Sequence, residues 1–323
     1  MTTPYAHAFW SLGDRRGEIR QAELDDAGDL MIRTCYSAIS RGSETLVFSG
    51  LVPESEYDRM RAPFQRGDFP GPVKYGYSNV GVVEQGAHDW HGQAVYALYP
   101  HQTHYRIQAG DVIPIPENVP PQRAILAANM ETALNATWDG SPGPGDRISV
   151  VGAGVVGSLV AWLCARIPGT QVQLIDIDDR KAFLGDAFGV QFCTPDRAEG
   201  ERDLVFHASA SEAGLATALS IAGFEARVVE MSWYGDREIR LPLGGAFHAK
   251  RLDLRSSQVG SVSPSHRPRW DHKRRLTLAL SLLEHDCLDV LINSESHFRD
   301  LPETLERLCR GGDDTLCERI HYD

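Results

Sequence analysis

The feature that most limits what this chain can fold into is a glycine-rich turn set directly behind an apolar run. Ile148-Ser149-Val150-Val151 reads as a buried strand, Gly152-Ala153-Gly154-Val155-Val156-Gly157 follows it, and Val155 to Arg166 reads as a helix. Gly152 permits the tight turn, Gly154 lets the backbone pass close to a pyrophosphate, and Gly157 lets the new helix approach the sheet. With Val155 and Val156 opening that helix, its unpaired N–H groups and its dipole face the phosphates.

A GxGxxG pattern alone is a weak signal, and its surroundings make this one specific. Gln171 to Ile175 reads as the next strand and ends at Asp176, about 20 residues downstream, where an acidic residue can accept both hydroxyls of an adenosine ribose. That favours NAD over a cofactor with a 2'-phosphate, which would bring like charge beside the carboxylate. Arg180 keeps the phosphorylated form open if Asp176 points elsewhere. Further apolar strands at Asp203 to His207, Ala226 to Met231 and Leu252 to Val259, separated by helical material, predict an α/β fold with a doubly wound parallel sheet. Ser209 and Ser257 follow two of these strands, where they either bond the cofactor or serve the chain's own turns and caps.

The 323 residues are long enough for two domains. Before Pro120 the chain is rich in short strand-like pieces, among them Asp29 to Ser37, Ala94 to Leu98 and His104 to Ile107. A helix is expected over Arg123 to Thr137, another over Asp271 to Glu284, a shorter one over Pro302 to Cys309, and a last strand near Thr315 to Tyr322. The expected division is residues 1–120, 121–262 and 263–323, the last returning to complete the first domain. A net charge of −12 argues against a broad nucleic-acid surface, and the glycine-broken run Ile148 to Leu163 suits a buried strand and helix better than a membrane span. The start of the chain lacks a basic stretch followed by an apolar core, which predicts cytoplasmic residence. None of the six cysteines forms a CxxC pair, so isolated thiols are expected rather than a disulfide frame or clustered zinc site.

Ala38-Ile39-Ser40-Arg41-Gly42-Ser43-Glu44, Gly76-Tyr77-Ser78-Asn79-Val80-Gly81, Glu131-Thr132-Ala133-Leu134-Asn135-Ala136 and the glycine-rich turn, in that order, resemble the medium-chain dehydrogenase/reductase family, the zinc-type alcohol dehydrogenase superfamily. The resemblance implies a strand-rich GroES-like catalytic domain, a Rossmann domain binding NAD, and a homodimer. It also implies a departure. Ser40, Tyr77 and Ala128 stand where zinc-dependent relatives carry ligands, and neutral serine, tyrosine and alanine do not reproduce catalytic zinc coordination. A zinc-independent branch is therefore expected, with no metal ligands assigned.

Without zinc, hydrogen-bond donors, a basic side chain or the substrate's own electronics must polarise the reacting oxygen. The resemblance places Tyr77 and Ser40 near it, with Arg41 or Lys74 to stabilise developing negative charge and Thr132 to help position nicotinamide. His101 is a further proton-transfer candidate and His104 a weaker one, since imidazole changes charge near neutral pH. Glu44 is a candidate for orienting the proton-transfer group; a helix cap or salt bridge explains it equally well. Arg59, Arg61 and Arg66, interleaved with Tyr57, Phe64 and Phe69, either recognise a carboxylated, aromatic small molecule or are solvated loop charges. Ser37 to Glu44 also resembles, more weakly, bacteriochlorophyllide hydroxyethyl dehydrogenases, implying a secondary alcohol and its ketone. The expected function is NAD-dependent alcohol–ketone interconversion. Reduction of an activated C=C bond and a nonenzymatic NAD-binding redox sensor are the alternatives.

Overall fold

The computed structural model describes residues 6–24 and 28–323; residues 1–5, which bear on the reading of the chain's start, lie outside it. The chain divides into two compact units, residues 1–128 with 280–323, and residues 129–279.

In the first unit, a four-stranded sheet runs in the order Arg16–Ala22, Ala6–Gly13, Val73–Lys74, Arg66–Gly67. A seven-stranded sheet is centred on Leu30–Ile39, which pairs with Asn79–Gln85 on one side and with the last strand, Cys317–His321, on the other. Leu30 and Ile32 pack with Val83, Val95, Tyr105 and Ile107, and Met31 between them is buried as well, so this stretch of the central strand is covered on both faces. The helix Leu301–Arg310 places Leu301, Leu305 and Leu308 on one stripe against Phe9, Phe48 and Ile320.

The second unit is built on six parallel strands in the order Gln191–Cys193, Gln171–Ile175, Arg147–Val151, Arg202–His207, Ala222–Glu230, Asp253–Ser256. This is the doubly wound order, with the direction of winding reversing beside the first strand, Arg147–Val151. Ile148, Ser149, Val150 and Val151 are all buried, which requires cover on both faces of the sheet. Segment 263–279 packs within this unit: Arg275, 1% exposed, bonds Glu131 at 3.0 Å, Asn135 at 2.6 Å and the carbonyl of Val259 at 2.5 Å.

The helix expected over Arg123 to Thr137 is two helices, Pro121–Ala124 and Ala127–Gly140. At the break the carbonyl of Ile125 accepts the Ser78 hydroxyl at 2.5 Å instead of continuing a helix, and Arg123 makes a bidentate bond with Asp289 at 2.6 and 2.7 Å, both contacts with distant parts of the chain. All six cysteines carry free thiols, and among the described residues no helix is long and apolar enough to cross a membrane.

A side-chain carbon on Gly157 would stand 1.9 Å from the carbonyl oxygen of Gly152, whereas one on Gly154 would meet nothing within 4 Å. Gly157→Ala should therefore lower the unfolding free energy by roughly 2–3 kcal/mol in a denaturant titration, while Gly154→Ala stays within about 0.5 kcal/mol of the parent.

Candidate functional site

In the first unit, the strand Leu30–Ile39 runs through Ser40 into the helix Arg41–Phe48. Ser40 holds the N-cap position, but its hydroxyl caps nothing. Glu44 reaches back one turn instead and accepts the Ser40 N–H at 2.8 Å. Its other oxygen meets His101 Nε2 at 2.8 Å, His101 Nδ1 lies 2.7 Å from Ser37 Oγ, and that hydroxyl lies 2.9 Å from Tyr322 OH. Ser37, His101 and Glu44 are 0%, 1% and 3% exposed, so each depends on the others for its hydrogen bonds. Removing one member would leave its partner's buried polar groups unpaired, at a cost of about 1–3 kcal/mol.

Tyr77 adjoins this chain of groups. Burial, reinforced by the charge of Glu44, pushes its phenol up to about 12, against the opposing effect of hydrogen bonds from Ser40 and Ser43. At neutral pH it is a protonated phenol, able to donate and unable to act as a ready base. Tyr75 packs edge-on against it, ring centroids 6.0 Å apart, and is itself raised by burial.

The other candidates of this unit lead elsewhere. Arg41 bonds the carbonyl of Thr315 at 2.8 Å and pairs with Asp313 at 3.5 Å. Lys74 is buried, with Nζ 2.6 Å from Gln102 Oε1 and 5.3 Å from the centre of the Tyr99 ring. His104 sits on the strand His104–Ile107, 3.9 Å from Glu84, its imidazole lowered by burial. Arg59 and Arg61 pair locally with Glu56 and Asp68 at 2.7 Å each.

At the positions where the resemblance implies zinc ligands, the side chains do not fit a catalytic zinc. Ser40, Ser43 and Tyr77 offer neutral hydroxyls, Ala128 offers no donor side chain, and among the described residues no group of three or more His, Cys, Asp or Glu is arranged to hold a metal.

In the second unit, parallel register sets Val151 opposite both Ile175 and His207, so Gly152, Asp176 and Ala208 leave the sheet at one edge. Gly152 turns with φ +110, and its N–H bonds the carbonyl of Ile175 at 2.7 Å. Gly154 caps the helix Val155–Cys164, whose first residues are Val155 and Val156. The space open above Gly154 and the free helix N-terminus suit a diphosphate. Asp176 is held toward this turn by the N–H groups of Ala153 at 2.8 Å and Asp178 at 3.0 Å. The cation beside it is Lys181, at 3.0 Å. Arg180 grips Asp178 at 2.8 and 2.9 Å instead.

Ser209 lies against the turn, with Oγ 2.6 Å from His207 Nε2; the helix Glu212–Ile221 is capped by Ser211, not Ser209. Ser257 bonds Asp139 at 2.7 Å, and Thr132 lies on the helix Ala127–Gly140, where the preceding Glu131 is committed to Arg275. The sequence reading missed Ser37 and Tyr322 as members of the His101 network, Lys181 beside Asp176, and Glu230 beside His207. Lys181 alone had a local signal, a basic residue just over one helical turn past the acid.

No protein-family model and no curated protein matches the sequence. Solved structures do. L-idonate 5-dehydrogenase from Escherichia coli superposes with a TM-score of 0.79 at 15% identity, covering 98% of each chain. A putative zinc-binding dehydrogenase from Sinorhizobium meliloti, bound to NADP, gives 0.78 at 14%, covering 99% of this chain and 100% of that one. An Escherichia coli alcohol dehydrogenase complexed with NADH gives 0.76 at 15%, with coverage of 99% and 100%. The chain has the alcohol dehydrogenase fold. That fold, a parallel Rossmann sheet with a strand-rich GroES-like unit, is the one its motif order implies.

Within the alcohol dehydrogenase fold, the Asp176 geometry separates two neighbouring cations. Asp176→Ala should weaken NAD binding roughly 10- to 100-fold, the equivalent of losing charge-assisted hydrogen bonds. Arg180→Ala should leave NAD binding within about twofold, as expected of an exposed pair with Asp178. Fluorescence titration with NAD and NADH reads both.

Proposed function

We propose that this chain is a nicotinamide-dependent oxidoreductase that interconverts a secondary alcohol and its ketone without zinc, with Tyr77 as the donor to the substrate oxygen. The observation that carries the reading is the Tyr77 phenol, pushed up to about 12 and bonded to Ser40 and Ser43 beside the buried Glu44–His101 pair. The glycine turn and Asp176 of the second unit supply the complementary feature, a place for a dinucleotide whose adenosine ribose keeps both hydroxyls.

A nicotinamide dinucleotide, when bound, supplies the electron pair for reduction or accepts it in oxidation. Gly152, Gly154 and the first N–H groups of the helix Val155–Cys164 would hold its diphosphate, and Asp176 with Lys181 its adenosine ribose. Tyr77 hydrogen-bonds the carbonyl oxygen and stabilises the charge that develops there, the task a metal performs in zinc enzymes. Proton transfer from this phenol to a developing alkoxide is downhill, because the alkoxide is the stronger base. Ser40 and Ser43 orient the phenol, while Glu44, fixed by His101 and the Ser40 N–H, keeps it protonated. Arg41 and Lys74 are left with packing roles by their partners.

Incubation with NAD(P)H or NAD(P) and a panel of alcohols, ketones and enones, with products identified by mass spectrometry, tests the reading. Alcohol–ketone interconversion is expected; saturation of a C=C bond would replace it with the reductase alternative, and cofactor binding without turnover would favour a redox sensor. Tyr77→Phe should lower kcat about 100- to 10,000-fold with little change in cofactor affinity. The pH dependence follows from the raised phenol. Oxidation of the alcohol requires the deprotonated form, so its rate should climb with pH and show no plateau below about 11, whereas reduction should be flat across neutrality. A plateau near pH 10 that persists in Tyr77→Phe would assign proton transfer to another group and contradict the assignment.

A further inference from the structure

The second unit contains a hydrogen-bonded chain that the proposed reaction does not use. The strands Arg202–His207 and Ala222–Glu230 run parallel with His207 opposite Glu230, and His207 is fully buried. His207 Nδ1 lies 2.7 Å from Glu230 Oε2, and Nε2 lies 2.6 Å from Ser209 Oγ. Glu230 also accepts the N–H of Ser232 at 2.7 Å and the hydroxyl of Tyr234 at 3.1 Å. Burial pushes the Glu230 carboxyl up, but its bonds from His207 and Ser232 prevail and hold it below the ordinary range.

An ionised Glu230 can only accept, so Nδ1 carries a proton, and in neutral His207 the Nε2 lone pair takes the Ser209 hydroxyl proton. Ser211 Oγ accepts the N–H of Gly214 at 3.0 Å, which leaves its own proton for Ser209 Oγ, 2.9 Å away. Ser209 thus spends its proton inward and keeps one lone pair for a ligand. Gly214 makes room for this arrangement: a side-chain carbon there would stand 2.1 Å from Ser209 Oγ and 2.8 Å from His207 Nε2. Half-buried Ser209 also abuts the nucleotide turn, since a side chain on Gly152 would come within 2.7 Å of its backbone nitrogen.

We propose that His207 and Glu230 are positioning residues that fix the Ser209 hydroxyl as a hydrogen-bond acceptor for an O–H or N–H donor of the bound dinucleotide. This rests on the dinucleotide reading above. The groups facing His207 are Glu230 on the next strand and Tyr234, whose ring carries Arg237 at 5.7 Å. On the adjoining helix, Glu212 is engaged by the N–H of Arg240, and on the strand Arg147–Val151 the ionisable Arg147 pairs with Asp203.

The test is calorimetric titration of NAD and NADH at one pH into the intact chain, Ser209→Ala, Glu230→Gln and the double variant, with thermal melts to verify folding. Ser209→Ala should bind about fivefold more weakly, the worth of one hydrogen bond. Glu230→Gln, which frees the tautomer, should do the same alone and have no further effect in the Ser209→Ala background, a coupling that a merely structural role would not produce. Should the glutamine variant not fold, His207→Asn takes its place in the cycle. The acetylpyridine analogue of NAD, which lacks the amide N–H, identifies the donor: lost sensitivity to Ser209→Ala marks the carboxamide, and equal sensitivity marks a sugar hydroxyl or the adenine amino group. Unchanged affinity in Ser209→Ala, or an additive double variant, would overturn the inference and leave the cofactor reading standing. Failure of the intact chain to bind any nicotinamide dinucleotide would overturn both.

Discussion

No methyl group fits between the helix Val155–Cys164 and the carbonyl of Gly152, and what the second unit offers a ligand depends on that close approach. The helix N-terminus can lie at the sheet edge only because Gly157 lacks a side chain. The parallel register then delivers Asp176 and His207 to the same edge, each one residue past or at the end of a strand paired with Arg147–Val151. A steric allowance at Gly157 and the strand register together thus align a dipole, a carboxylate and a buried imidazole, three groups from separate parts of the chain.

The first unit solves a different problem, that of burying a carboxylate beside a phenol. Glu44 is 3% exposed and carries no cation; its oxygens are satisfied by the Ser40 N–H and by His101. One carboxylate therefore closes a helix end, holds an imidazole and keeps a phenol protonated. In the proposed reaction the Tyr77 phenol takes the place that a metal cation has in zinc enzymes, as an uncharged donor whose acidity is suppressed by burial and by a neighbouring negative charge.

How much of this was legible in the sequence follows from the range of each interaction. The turn, the helix behind it and Asp176 are contiguous in pattern, so the centre of the doubly wound sheet could be read from the sequence, whereas the three-residue edge strand Gln191–Cys193 is too short to leave a pattern and was missed. The motif order carried the choice of fold. The Glu44–His101 contact joins residues far apart in the chain, and the His207–Glu230 contact depends on strand register, which composition does not encode. Arg180 was the plausible cation near Asp176 until the phase of the short turn Asp179–Ala182 directed it to Asp178 and brought Lys181 in its place. Arg41 and Lys74 carried the right charge for an electrophilic role, but nothing local in the sequence showed that Thr315, Asp313 and Gln102 would claim them.

The central claim, zinc-independent redox chemistry at a carbonyl, is tested most directly by isotope transfer. Chelator-treated protein would be incubated with NADH deuterated at nicotinamide C4 and with ketone substrates, and the products analysed by mass spectrometry. The account predicts deuterium on the carbinol carbon at a rate unaffected by the chelator. Label that stays in the cofactor, or that moves only when zinc is restored, would contradict it.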